Sequence, residues 1–372
     1  IGYRDLDGTF YNASGGVAQQ ADIILNGQVQ SIKAVNPDTG ELETVNTITQ
    51  DMFKDYEPEL TIMPRIGVSF PVTDQALFFA SYGVVSQRPS TRNYTSLAGF
   101  EGTGGINNTG LVPEKTTKYE LGVRQRIGVR SALSISGFFR QIENLIQIRE
   151  TEGASPSVYT SSQNVDFGTV KGIEFDFDVR RTNNVALNLN YTMSFADGTG
   201  SASNTTGTIV WIDETPPNFI SPLDFDQRHK VNLSVDLRYG QGEGPKLGDT
   251  AFLQHFGFNV LFTAGSGFPY TGVVEPFNLA GAARAANPSG SINGDRMPGQ
   301  TRVDIRFDRA FSVGSSSTIS VFLWVQNLFD ADNVNNVWRF TGLPDDDGFL
   351  ATAEGAQFLS EKPEAAEALY QN

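Results

Sequence analysis

Three consecutive carboxylates, Asp345, Asp346 and Asp347 in "LPDDDGF", form the densest cluster of potential metal ligands in the chain. With backbone oxygens they could collect a calcium ion, which prefers hard oxygen ligands. The spacing of an EF-hand loop and its distal glutamate are absent, so the segment also reads as an acidic loop tip. "FDADN", with Asp330 and Asp332, is a weaker version of the same pattern. The two histidines, His229 and His255, fall on different strand-like runs and form no pair. A serine hydrolase needs a Gly-x-Ser-x-Gly elbow between strand and helix, and "AGSGF" has neither the spacing nor the helix. "GFEGTGG" is glycine-rich, but no strand–helix unit follows it to aim amides at a phosphate. No catalytic constellation emerges, and no cofactor is implied.

Charge narrows the choice further. The chain of 372 residues has 42 acidic and 27 basic residues, a net charge of −15. That argues against a nucleic-acid partner, which requires basic patches. Cysteine is absent, so neither disulfides nor thiolate-bound metals are available. The start, "IGYRDLDGTF", has no basic and apolar leader pattern. No apolar run reaches the roughly 18 residues that a transmembrane helix needs.

The positioning elements are strands. From Val185 every second residue is apolar, through Leu187, Leu189, Tyr191 and Met193 to Phe195. The preceding run sets Ile173, Phe175, Phe177 and Val179 on one face. Glu174, Asp176, Asp178 and Arg180 fall on the other. "TRVDIRFDRAF" repeats the design, with Arg302, Asp304, Arg306 and Asp308 opposite Val303, Ile305 and Phe307. This period of two is the signature of a half-buried strand. About ten such strands lie between Thr61 and Asp330, and helical periodicity is confined to short stretches such as "KPEAAEALYQN" and "TQDMFKDY".

Two further patterns separate lipid from a protein core. Short joins ("PVTDQ", "GVRS", "RTNN", "VGSSS") alternate with long polar ones, among them Arg88–Glu114, Arg149–Gln163, Asp197–Asp224 and Thr271–Gln300. Up-and-down outer-membrane barrels have one trimmed end and one elaborated end. The run from Val185 to Phe195 is about 35 Å long at 3.3 Å per residue. Tilted by about 45°, it spans about 25 Å, the height of a barrel's apolar band. Aromatics such as Phe70, Tyr82, Tyr119, Phe139, Phe195 and Phe256 gather near strand ends, where interfacial girdles form. A soluble β-sandwich would show the same alternation with shorter strands. The fold class expected is therefore all-β, a transmembrane antiparallel up-and-down barrel.

Several segments resemble TonB-dependent outer-membrane receptors. "LVPEKTTKYELGVRQRIG" and "SISGFFRQIENLIQIRE" look like consecutive barrel strands of that family. "NVDFGTVKGIEFDFDVRR" is similar to its loop and strand entry, and "VFLWVQNLFDADN" to its penultimate strand. "PRIGVSFPVTDQALFFASYGVVSQRP", "GSGFPYTG" and "RMPGQTRVDIRFDRAF" look closer to the Oar-like and SusC-like branches. The resemblance implies a barrel of about 22 strands around an N-terminal plug, at the bacterial outer membrane, taking up a bulky substrate with energy delivered through TonB. On this reading residues 1–60 are an extracellular loop and strand-end segment. Residues 61–330 are the C-terminal part of the barrel, and 331–372 its last long extracellular loop, with the closing strand missing. Partners would be outer-membrane lipid, the plug, the remaining strands and, through the missing part, TonB.

The resemblance also implies residue roles. Glu174, Asp176, Asp178, Arg180, Arg302, Asp304, Arg306 and Asp308 would line the lumen, their charges pairing across strands. Loop aromatics Tyr94, Trp211 and Trp338 could stack on a ligand, or simply anchor loops. A passive porin and a soluble extracellular binding protein or adhesin are the alternative functions.

Overall fold

In the computed structural model, the structure describes residues 60–90, 110–151, 159–201, 219–276, 288–314 and 317–362, together with short strand pairs among the first 48 residues. Side chains of residues 149–161 lie outside the description, as do Tyr94 and Trp211.

Among the described residues, ten strands form one continuous antiparallel meander. They are β1 (Arg65–Thr73), β2 (Ala76–Gln87), β3 (Glu114–Ile127), β4 (Ser131–Thr151) and β5 (Tyr159–Thr182). β6 (Val185–Gly198), β7 (His229–Arg238), β8 (Phe256–Gly265), β9 (Gln300–Val313) and β10 (Ser317–Val325) follow. Every strand pairs with its sequence neighbours, and a two-residue strand, Ser221–Pro222, adds to the end of β6. The sheet does not close: β1 and β10 are its two edges. Among the described residues no helix is long and apolar enough to cross a membrane, which does not bear on crossing by strands.

Register turns the alternation of each strand into two continuous faces. Residues directly opposite in an antiparallel pair project to the same side. One row across six strands reads Leu133, Phe177, Leu189, Leu233, Phe262 and Val303. The adjacent row, one residue along, reads Ser134, Asp176, Asn190, Asn232, Thr263 and Arg302. Across these six strands one side of the sheet is therefore apolar and the other polar. The apolar side is uncovered: Ile66, Leu121 and Val321 are each more than half exposed. A soluble sandwich would bury that side under a second sheet, and none covers it among the described residues.

The joins behave as their composition predicts. Asn183 and Asn184 both have positive φ, 47° and 74°. That is the geometry of a tight hairpin turn whose twist matches its strands, and asparagine tolerates it. Gly128 and Gly314 supply the same left-handed backbone in two other short joins.

Three boundaries differ from the sequence reading. The loop expected at Arg149–Gln163 is shorter, because β4 and β5 continue pairing to Thr151 and Tyr159. Asn144, at φ 63°, marks a register shift there, after which the ladder resumes. The strand read in "VFLWVQNLFDADN" is shorter than that segment, because β10 stops at Val325. Asn327 and Asp330 take left-handed backbone, and the Leu328 amide donates back to the Val303 carbonyl at 2.7 Å. The C-terminal helix, α1, spans Ala353–Glu361, earlier than "KPEAAEALYQN" suggested. The Thr352 hydroxyl caps it by accepting from the Gly355 amide at 3.0 Å. Residues 363–372 and "TQDMFKDY" lie outside the described residues.

β10 also breaks the alternation. Phe322 and Trp324 project to the polar side, opposite Asp308 and Arg306, while Val321 and Leu323 project to the apolar side. The Arg306 guanidinium lies 4.9 Å from the centre of the Phe322 ring and covers part of it.

Candidate functional site

The polar face is built from short side chains and charges in register. Asn190 on β6 donates to Asp176 on β5, and one step along Asn188 donates to Asp178 at 2.5 Å. These pairs cross strands, as expected for directly opposed residues. Arg302 behaves differently. It binds Asp304 on its own strand through two bonds of 2.7 and 2.9 Å. Asp304 also accepts the Asn327 amide at 2.9 Å, so this carboxylate anchors the turn after β10. Residues two apart share a face, which permits this pairing along one strand as readily as across two. Glu174 is half-buried on the same face, and Arg180 is exposed at the short-turn end.

A glycine sets the longest reach across the sheet. Arg238, Gly257 and Asp308 are register partners on β7, β8 and β9. Because Gly257 has no side chain, Arg238 spans β8 to meet Asp308 at 3.5 Å. A Cβ at 257 would lie 2.7 Å from an Asp308 carboxylate oxygen. Gly257→Ala should therefore cost about 1 kcal/mol by pushing that carboxylate aside. In an Asp308→Ala background the same change should be nearly silent, as urea unfolding of the vesicle-inserted protein would read.

Tight packing concentrates at the end bearing the long joins. Asp226 is 1% exposed there. It accepts the Ala196 amide at 2.9 Å, holds Arg296 by charge-assisted bonds, and has Arg228 at 3.5 Å. Arg296 also donates to the Asp226 carbonyl, so two loops about 70 residues apart in sequence are clasped by one residue. Beside this clasp, Asn293 donates to Asp224 at 2.7 Å and to the Pro222 carbonyl at 2.8 Å. Its own amide donates to the Thr271 hydroxyl at 2.9 Å. Arg339, from the segment after β10, donates to the Thr271 carbonyl at 2.8 Å. Burial lowers the Arg339 pKa from its ordinary value. Burial and the nearby Asp295 raise that of Tyr270. A second polar knot joins Gln147, Asp166 and Thr199, with bonds of 2.9 and 3.0 Å. Three long joins thus interlock over one rim.

Under that rim, on the polar face, lies a shallow concavity of about 310 Å³. Lys230, Asn232, Thr263 and Arg302 form its wall, and Gln227, Phe268, Gln300 and Asn333 its lip.

The other sequence candidates are placed as follows. Asp346 and Asp347 accept the backbone amides of Gly348 and Phe349, at 2.8 and 2.9 Å. Among the described residues no group of three or more His, Asp or Glu could hold a metal ion. Trp338 is 44% exposed in a small loop closed by its own backbone, its amide donating to the Leu343 carbonyl at 2.8 Å. His229 stacks on Tyr191, and the Tyr191 hydroxyl lies 2.9 Å from its Nδ1. Asp226, Arg296, Asn293 and Asp166 were not singled out from sequence. "DQRHKV" and "RMPGQTRVDIRFDRAF" contain two of them, but nothing in either segment names its distant partner.

A wide antiparallel meander with one bare apolar face, one polar face and interlocked joins at one end is the wall of an outer-membrane β-barrel. The chain belongs to the family of TonB dependent receptor-like β-barrels, which it matches over residues 36–328. This is a family of receptors and transporters of the Gram-negative outer membrane, not of enzymes, and that membrane is where the chain resides. Among solved structures, the outer membrane transporter YddB from Escherichia coli is similar, with 12% identity and a TM-score of 0.51 over 73% of this chain and 37% of that one. The ferripyoverdine receptor of Pseudomonas aeruginosa, bound to ferripyoverdine, is also similar. Its identity is 12% and its TM-score 0.50, over 81% of this chain and 32% of that one. The chain thus spans roughly a third of the length of either. No curated protein matches its sequence.

Proposed function

We propose that the chain forms the C-terminal part of the barrel of a TonB-dependent transporter that takes up a bulky substrate from outside. The observation carrying this reading is the amphipathic meander, whose two edges are unpaired among the described residues. A free edge cannot stand in hydrocarbon, because its backbone groups find no water there. Further strands must pair with β1 and β10, and a barrel of about 22 strands, as in plugged transporters, has room for these ten. The order of the sequence motifs and the long joins support the Oar-like or SusC-like branch.

In this arrangement the short joins face the periplasm and the interlocked rim faces outward. Residues 1–60 are an extracellular and strand-end segment, 61–330 barrel wall, and 331–372 the last long loop. Glu174, Asp176, Asp178, Arg180, Arg302, Asp304, Arg306 and Asp308 line a wet lumen against a plug. Trp338 is a loop aromatic within reach of an incoming ligand, as Tyr94 and Trp211 would be. TonB supplies energy through the plug. Similarity of fold at 12% identity transfers no substrate from the ferripyoverdine receptor.

Planar-bilayer recording with the full-length protein in potassium chloride tests this against a passive porin. A plugged transporter shows no steady conductance. Stable open steps would favour the porin, and recovery from cells without detergent would overturn both.

A further inference from the structure

Near the loop end of the apolar face, one register row reads Ile66, Tyr82, Tyr119, Phe139, Lys171 and Phe195 across β1 to β6. It is an aromatic row interrupted by one ammonium. Tyr82 and Tyr119 are in ring contact at 5.2 Å, and Tyr119 and Phe139 at 6.4 Å. Lys171 is exposed and sits directly opposite Phe195. From the other side the Arg228 guanidinium lies 5.2 Å from the centre of the Phe195 ring. Two cations therefore bracket one lipid-facing ring, with exposed His229 next in sequence to Arg228. Among the described residues, register places one carboxylate on this face close by, Asp197, two residues beyond Phe195 toward the loops. Asp226, which Arg228 touches, is turned inward to Arg296.

Depth makes this pairing informative. Phe139, Lys171 and Phe195 each lie six residues from the apolar row through Leu133, Phe177 and Leu189. At about 3.3 Å per residue and 45° of tilt, that is about 14 Å of height. Half of an apolar band about 25 Å tall is nearly the same. With the Leu189 row near the midplane, Lys171 stands where hydrocarbon ends and headgroups begin. Aromatic rings favour that level, and a lysine there extends its stem along apolar surface while its ammonium reaches the polar layer. The anions at that level are lipid phosphates.

We infer that Lys171 and Arg228, on either side of Phe195, form a site for the phosphorylated headgroup of an outer-leaflet lipid. The site rests on the proposed orientation, with the loop end outward. Phosphate bridges the two cations, and an acyl chain lies along Phe139 and Phe195.

The full-length protein in detergent, titrated with a bisphosphorylated lipid A-type glycolipid, tests the site. The thermal unfolding midpoint should rise by several degrees, and by much less with the dephosphorylated glycolipid or with inorganic pyrophosphate. Lys171→Gln should abolish the difference between the two glycolipids, and Lys171→Arg should keep it. Equal shifts with both glycolipids, or an undiminished difference in Lys171→Gln, would overturn the site. A shift with pyrophosphate equal to that with the phosphorylated lipid would overturn the lipid assignment. The orientation is read separately. In the full-length protein with any native cysteines replaced, Glu275→Cys in the loop end is labelled on intact cells by a membrane-impermeant maleimide and read on the purified protein. Absent labelling overturns the orientation and the transport reading with it, whereas labelling without phosphate-dependent stabilisation overturns only the lipid site.

Discussion

Asp226→Ala should release the clasp at the loop end and destabilise the inserted protein by about 3 kcal/mol. Removing one member of a buried ion pair leaves the other uncompensated, at a cost of about 3–5 kcal/mol. Arg296 keeps 27% of its side chain exposed, so water recovers part of the loss. The Ala196 amide loses its acceptor as well, inside a strand end that is nearly sealed. Asp224→Ala is the matched control. Asp224 is exposed and accepts one amide from Asn293, so about 1 kcal/mol is expected. Unfolding in urea from lipid vesicles gives the two values. Hydrogen exchange should show the Ala196 and Leu223 amides opening in Asp226→Ala alone. Equal effects of the two substitutions would mean that the clasp contributes no more than an ordinary surface bond.

Leu189→Arg and Asn190→Arg, one residue apart, should have opposite outcomes. Leu189 sits in the middle of the apolar row, opposite Phe177 and Leu233. An arginine there faces hydrocarbon near the midplane, at a cost of about 2–4 kcal/mol, and assembly into the membrane should fail. At 190 the arginine points to the polar face, opposite Asp176 and Asn232. It replaces the amide donor to Asp176 with a cationic one, so assembly should proceed at close to the normal level. Folding is read from the shift of the unheated band in detergent electrophoresis of outer-membrane fractions. Comparable assembly of both variants, or failure of Asn190→Arg alone, would reverse the assigned faces. Lys171 completes the series, because near the interface the cost of a cation on the lipid face falls to about 0–1 kcal/mol.

Much of the wall was legible in the sequence for a physical reason. A side chain's face in a strand depends on counting by two, which needs no knowledge of its neighbours. The tight turn at Asn183 and Asn184 was likewise readable, since the left-handed backbone is a property of those residues. Reading failed where the partner was not local. "NLIQIRE" was split between strand and loop, because its pairing partner on β5 lies beyond a join of unknown geometry. Phe138 covering Gly172 across β4 and β5, where an added Cβ would meet the ring at 2.7 Å, is another feature only register exposes.

By itself, then, the sequence determined which residues of most strands must leave water and which end of the sheet carries the long joins. These follow from backbone periodicity and local turn chemistry. Only the tertiary structure decided that the arginine of "GDRMPG" closes on the aspartate of "LDFDQ", that Gly257 opens a path between Arg238 and Asp308, and that Lys171 stands alone in an aromatic row. Each depends on register between strands, where one step changes every partner and face.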